Sequence, residues 1–263
     1  MRRFDRRAVF ASGTAAALLA ASGVLAYAKP ARGGRLRAAL RGAVDEPWTA
    51  PQPSAFLNVA RHAVLEGLTE IAADGTLRGS LATSWQSDDA GRHWAFELRA
   101  ASWHDGSHVT AEQVAQVLGG RVQEGQVTLS LDAPDPGFPF RLAFPEWLVS
   151  HPQTPTLGTG LYALRGFEPG RRAIADRVDA HPKDGAAGWV DTLDITAIPA
   201  AETRLEALLH EMVDLIEHDQ TAAPRWTVRL PGALAGARVA APSDIGTTLP
   251  FDNFRCAERW WLV

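Results

Sequence analysis

The sequence predicts an α/β protein built on mixed sheets, and three stretches carry that prediction. Trp94, Phe96 and Leu98 fall on one face of a short run while His93, Glu97 and Arg99 fall on the other, the period of two that marks a half-buried antiparallel strand. Thr110 opens a helix with Gln113 three residues on, so the hydroxyl and the amide can each cap the other residue's free backbone N–H. Between Leu193 and Ile216 the chain reads strand, helix, strand. Leu193, Ile195 and Ala197 alternate, Leu205, Leu208, Leu209 and Met212 line one helical face, and Val213 to Ile216 returns as a strand. Such a unit is expected to be parallel with a right-handed crossover.

With 263 residues, 46% of them hydrophobic, the chain can bury one large core or two smaller ones. Its formal net charge is -4, and Arg2, Arg3, Arg6 and Arg7 contribute four of the positive charges next to Asp5. Without those five residues the balance is 22 basic against 29 acidic, with the basic residues spread along the chain. Phosphate binding needs a clustered basic face, so no nucleic-acid partner is expected. The single cysteine, Cys256, precludes an intrachain disulfide and a zinc site built from several thiolates.

Residues 1–28 read as a targeting segment. The arginines precede an uncharged run from Ala8 to Ala28, and Ala26-Tyr27-Ala28 supplies a small-x-small cleavage pattern before Lys29. Asp5-Arg6-Arg7-Ala8-Val9-Phe10 resembles a twin-arginine export signal, so a periplasmic location with a cleaved signal is expected. An uncleaved membrane anchor is the alternative, which the Ser, Gly and Thr content of the run disfavours.

Gly33-Gly34 leads a strand through Leu40, and the loop from Gly42 to Pro53 is too irregular for an element. Ser54 precedes a helix in which Phe56, Leu57, Ala60, Ala63, Val64 and Gly67 keep the 3.6-residue period. Leu81 to Trp85 is a short apolar run, Asp88 to Gly91 a turn, and Asp105-Gly106 closes the strand that follows. The capped helix ends at Gly119-Gly120. Val127, Leu129 and Leu131 alternate as another strand, and Pro134, Pro136 and Pro139 lead into Phe140 to Trp147. Tyr162 to Phe167 and Ala173 to Val178 flank a hairpin turn at Phe167-Glu168-Pro169-Gly170.

Several of these stretches together resemble the solute-binding proteins of peptide and nickel ABC importers, solute-binding family 5. The resemblance rests on Leu81-Ala82-Thr83-Ser84-Trp85, Asp88-Asp89-Ala90-Gly91, Trp94-Ala95-Phe96-Glu97-Leu98-Arg99, Trp103-His104-Asp105-Gly106 and Thr110-Ala111-Glu112-Gln113-Val114. Leu65-Glu66-Gly67-Leu68 and Ala73-Asp74-Gly75 resemble the family's E-G-L helix end and D-G turn. Gly158-Thr159-Gly160-Leu161-Tyr162 resembles its G-T-G-P-Y motif, with Leu161 in place of proline. Pro250-Phe251-Asp252-Asn253-Phe254-Arg255 resembles its P-F-D-D-V-R motif, after which the other large lobe normally begins.

The resemblance implies a periplasmic binding protein-like first lobe, a reduced second lobe and no C-terminal lobe. On that basis residues 29–76 and 153–249 form the first lobe, 77–152 the second and 250–263 a tail. It implies a monomeric, non-enzymatic component of an ABC transporter that binds a peptide or similar small polar solute and works with a membrane permease. A truncated remnant, or an accessory module that binds a partner rather than a transport ligand, is the alternative.

No catalytic site is expected. There is no G-x-S-x-G elbow, and Cys256 has no histidine near it in sequence. Gly158-Thr159-Gly160 lacks the third glycine and the lysine of a phosphate loop. His93, His104 and His108 have no spacing that forces them together, so neither a metal nor a cofactor is expected. Trp85, Trp94 and Trp103 read as core anchors. Trp48 differs, because it lies in the loop that faces the cleft in the resembled family. Asp45 and Glu46 share that loop, Glu217 and His218 end a strand, and Asp244 precedes the terminal Pro250-Phe251-Asp252. Ligands of open α/β sheets bind at such strand ends, which makes these six the candidate ligand-binding residues.

Overall fold

The computed structural model describes residues 32–72, 75–87, 91–184 and 187–218, with the backbone alone at 218, 225–229 and 237–240. The targeting segment, Asp244, the Pro250 motif and Cys256 lie outside the described residues. No described helix is long and apolar enough to cross a membrane.

Strand β1 (Arg35–Leu40) lies near the middle of a seven-stranded mixed sheet. On one side it pairs in parallel with β10 (Thr192–Ala197), which continues antiparallel to β9 (Arg172–Arg177) and β8 (Tyr162–Glu168). On its other side it pairs in parallel with β11 (Leu215–His218), followed by antiparallel β12 (Arg225–Arg229) and β13 (Ala237–Ala240). The strand-helix-strand unit expected at 193–216 therefore forms, but its two strands are not neighbours, because β1 is inserted between them.

Helix α1 (Ala55–Val64) covers one face of this sheet. Ser54 caps it by accepting from the Leu57 N–H, and Phe56, Leu57, Ala60, Ala63 and Val64 of the stripe read from sequence are buried, joined by Val59, while Gly67 lies past the helix end at Val64. They pack against Leu36, Ala38 and Leu40 of β1 and Leu193 and Ile195 of β10, with Trp48 and Tyr162 in the same core.

A second core is built on a four-stranded antiparallel sheet ordered β4 (Ala82–Ser87), β5 (His93–Leu98), β7 (Gln126–Ser130), β6 (Arg121–Gln123). Helix α2 (Ala111–Leu118) packs on it, and its capping box at Thr110 and Gln113 forms as the sequence predicts. It closes on Gly119 in the left-handed region at φ 71°, where a side chain would be strained. Trp94, Phe96 and Trp103 are buried in this core beside Phe138 of the short helix α3 (Phe138–Arg141). A small hairpin, β2 (Thr69–Ile71) with β3 (Leu77–Gly79), connects the two bodies, and Leu68, upstream of residue 77, already packs in the second core.

Helix α4 (Ala201–Leu209) covers the other face of the large sheet, over Ala39 of β1 and Ile216 of β11. The sequence places Leu205, Leu208, Leu209 and Met212 inward. Only Leu208 is buried, while Leu209 and Met212 are about two-thirds exposed. Arg204, Ala207 and Leu208 form the buried face instead. Arg204 overrides the apolar period because its guanidinium finds enough carbonyl acceptors there to repay its desolvation.

Candidate functional site

Because β1, β10 and β11 are parallel, their carboxyl ends share one edge of the large sheet, the place where open α/β sheets take ligands. Three buried ionic side chains shape that edge. Glu217, 2% exposed, accepts the Arg41 backbone N–H at 2.9 Å and faces the Arg41 guanidinium at 3.4 Å. Arg204, fully buried, donates to the Glu217, Ile198 and Pro199 carbonyls at 2.8 to 2.9 Å, tying the ends of β10 and β11 together. Glu46 accepts from the Ser54 N–H at 2.6 Å and from the Ser54 hydroxyl, which joins the loop after β1 to the cap of α1.

The same loop is held from below by the β8–β9 hairpin. Gly170 sits at φ 62°, and a Cβ there would lie 2.3 Å from the Ala43 carbonyl oxygen, so the close approach needs glycine. Trp48 donates from Nε1 to the Pro155 carbonyl at 2.7 Å and meets Phe167 edge-on at 5.2 Å, as a member of the first core.

The structure thus brings five of the six candidate residues to one side of the sheet, in two roles. Glu46, Trp48 and Glu217 are buried and occupied by protein partners. Asp45 is exposed in the left-handed region at φ 51°, with no ion-pair partner among the described residues. Arg41, its side chain 57% exposed and paired on one side with Glu217, lies four residues upstream and is absent from the sequence-derived set. His218 ends β11 at this edge, and Asp244 lies outside the described residues. Chemically the edge offers one carboxylate and one guanidinium to solvent, a pair suited to a zwitterionic or hydrogen-bonding solute.

A second polar centre lies where the chain crosses between the cores. Glu66, 5% exposed, follows α1 and pairs through its carbonyl with the Val149 N–H at 2.8 Å, so both crossing segments meet at this residue. Its carboxylate accepts from Arg99 at 2.7 Å, Thr159 at 2.9 Å and Ser80 at 3.0 Å. His181 Nε2 and Lys183 Nζ stand 3.7 and 3.8 Å away, and Lys183 also binds Glu70 at 2.6 Å. The Lys183 N–H donates to His181 Nδ1, so the neutral ring carries its proton on Nε2 and donates it to the Thr159 carbonyl.

Burial opposes the charge on Glu66, but His181, Lys183 and Arg99 outweigh it and hold the carboxyl at about 2. His62 is pushed the other way, down to about 4, chiefly by desolvation. Its Nδ1–H donates to the Asn58 carbonyl and its Nε2 is buried without a hydrogen-bond partner among the described residues. Burial also lowers His104, whose Nε2 bonds the Gly160 carbonyl. The described residues contain no group of histidine, cysteine and carboxylate side chains able to hold a metal.

This centre explains motifs that sequence reading treats only as family marks. Gly158 and Gly160 pack so closely on the Val64 carbonyl that a Cβ would clash, and His104 of the Trp103-Gly106 turn donates its backbone N–H to the Gly158 carbonyl. The Glu66 motif, the Thr159 motif and Arg99 therefore meet at one point, a convergence with no signature in local spacing.

Neither a protein-family model nor a curated protein matches the chain. Solved structures do. The PBP AgaA from A. tumefacien R10, in complex with agropinic acid, aligns at TM-score 0.60 and 22% identity, covering 70% of this chain and 44% of that one. A nickel ABC transporter protein from Bacillus halodurans aligns at TM-score 0.61 and 21% identity, over 71% and 43% of the two chains. The periplasmic binding protein DppA from Helicobacter pylori, in complex with the peptide STSA, aligns at 0.57 and 15%, over 72% and 47%. The chain spans less than half the length of each of these structures. Over about 70% of its length the chain shares its mixed α/β fold with under half of each of these structures.

Proposed function

We propose that this protein is an extracytoplasmic solute-binding component of an ABC importer, which presents a peptide or similar small polar solute to a membrane permease. The observation that carries the reading is the carboxyl edge of β1 and β11 within a binding-protein fold. There Arg41 and Asp45 face solvent on a loop that Glu46, Trp48 and Glu217 hold rigid. His218 and Asp244 complete the proposed set. The solute's charged ends pair with Arg41 and Asp45, and no group transfer is involved. The reading includes periplasmic export of a monomer by the segment at residues 1–28, cleaved before Lys29.

One observation favours a second reading, a module that binds a protein partner in place of a solute. Small-molecule sites bury roughly 70–90% of their ligand, and the described edge forms a single wall. Calorimetric titration of the chain from Lys29 onward, with mixed di- to pentapeptides at millimolar concentration, separates the two. Solute binding gives saturable heat and a higher unfolding temperature, by about 2.7 kcal/mol of stability at a hundredfold excess over Kd. A cooperatively folded chain that shows neither heat nor stabilisation sinks the solute reading and leaves the partner-binding one.

A further inference from the structure

We infer that Glu66 is a positioning residue that sets the angle between the two cores and makes them move as one body. Two segments carry the chain between the cores, and both touch this residue. Glu66 lies in the first, and its backbone carbonyl takes the N–H of Val149 in the second. Its carboxylate then reaches both bodies at once. Ser80 and Arg99 belong to the second body, while Thr159, His181 and Lys183 belong to the first.

The geometry differs from that of a surface ion pair. The Glu66 carboxylate is 4% exposed and Arg99 18%. Arg99 is itself fixed by donating to the Ser80 and Ala100 carbonyls, so neither partner can follow the other through a bending motion. Any rotation of one core against the other must strip a buried carboxylate of donors from one body while leaving those of the other in place. That cost rises steeply in a dry interior. Packed interfaces of this kind rest in discrete arrangements and do not deform continuously.

The consequence reaches function without depending on the solute. Hinge closure between these two cores is closed off as a binding motion. The open groove of about 460 Å³ between the Trp103-Gly106 turn and residues 178–182 is then a fixed surface feature and not a closing cleft.

The test labels Gln123→Cys in the second body and Glu202→Cys in the first with a donor and an acceptor dye, in a Cys256→Ser background. Distance distributions are then read by single-molecule energy transfer, alongside calorimetric unfolding. The parent gives one narrow distribution and one unfolding transition. Glu66→Ala at least doubles the width and splits unfolding into two transitions. Glu66→Gln keeps one acceptor oxygen, replaces the other with an amide donor and loses the charge, and gives an intermediate width. A parent that is already broad overturns the inference. So does a folded Glu66→Ala or Glu66→Gln variant with the parental width and a single transition at lower temperature, since Glu66 would then add stability without setting orientation. If Glu66→Ala does not fold, the width of Glu66→Gln decides by the same criterion.

Discussion

At the junction between the cores a buried glutamate takes three hydrogen bonds and faces two further basic side chains, drawn from both bodies, whereas at the carboxyl edge two buried glutamates each serve one short segment and leave Asp45 and the outer side of Arg41 exposed. Both regions bury carboxylates, and both do so beside arginine. The difference lies in what remains unspent. At Glu66 every strong donor is used internally, so its low pKa marks a structural lock and not a site of chemistry, although perturbed carboxyls often mark functional sites. At the edge the buried groups are satisfied by backbone, by the Ser54 hydroxyl and by one side of the Arg41 guanidinium, and the exposed parts of Arg41 and Asp45 stay on the rim.

The largest expected effect is at the junction. Glu66→Ala leaves the largely buried Arg99 guanidinium without its carboxylate, while Lys183 keeps Glu70, and urea unfolding at pH 7 should show a loss of about 3 to 5 kcal/mol. A loss below about 1 kcal/mol would place Glu66 among ordinary surface pairs and erase the contrast with the edge.

Acid should act next, in two stages. The folded His62 pKa of about 4 lies below its ordinary 6.5, so the unfolded chain takes up that proton first and stability falls as pH drops from 6.5 to 4. The folded Glu66 pKa of about 2 lies below its ordinary 4.5, so its contribution is complete above pH 4.5 and is lost as pH falls towards 2. Each stage amounts to roughly 3 kcal/mol, from about 1.4 kcal/mol per pKa unit. Urea midpoints at pH 7, 4 and 2 check this. In Glu66→Gln the lower stage should flatten while the upper one stays.

At the edge, Arg204→Met removes donors to three carbonyls and should cost about 2 to 3 kcal/mol by the same measurement. Glu46→Ala frees the Ser54 cap and should cost about 1 kcal/mol. The smallest stability effect is predicted for Asp45→Asn, within about 0.5 kcal/mol, because asparagine tolerates the left-handed backbone. In the proposed function the same substitution lowers solute affinity about tenfold. Unchanged affinity would move the site away from Asp45.

Much of this was readable from residues a few positions apart. The period of two in β5, the capping box of α2, the stripe of α1 and the β8–β9 turn all appear where their patterns place them. The placement of Asp45, Glu46 and Trp48 in a loop after β1 was equally legible, but their division of labour was not. Whether a carboxylate is spent on Ser54 or left to solvent depends on chain geometry that spacing does not encode.

The sequence by itself determined the local elements, since caps, turns and amphipathic periods act through neighbours three or four residues away. Tertiary structure decided the insertion of β1 between β10 and β11, and the inward turn of Arg204 against the apolar period of α4. It also decided that Glu66 would meet Arg99 and Thr159, 33 and 93 residues further along. Those outcomes depend on which distant backbone carbonyls and side chains a folded interior leaves in need of partners. Buried polar groups must be satisfied wherever the chain brings them together, and local pattern carries no record of that place.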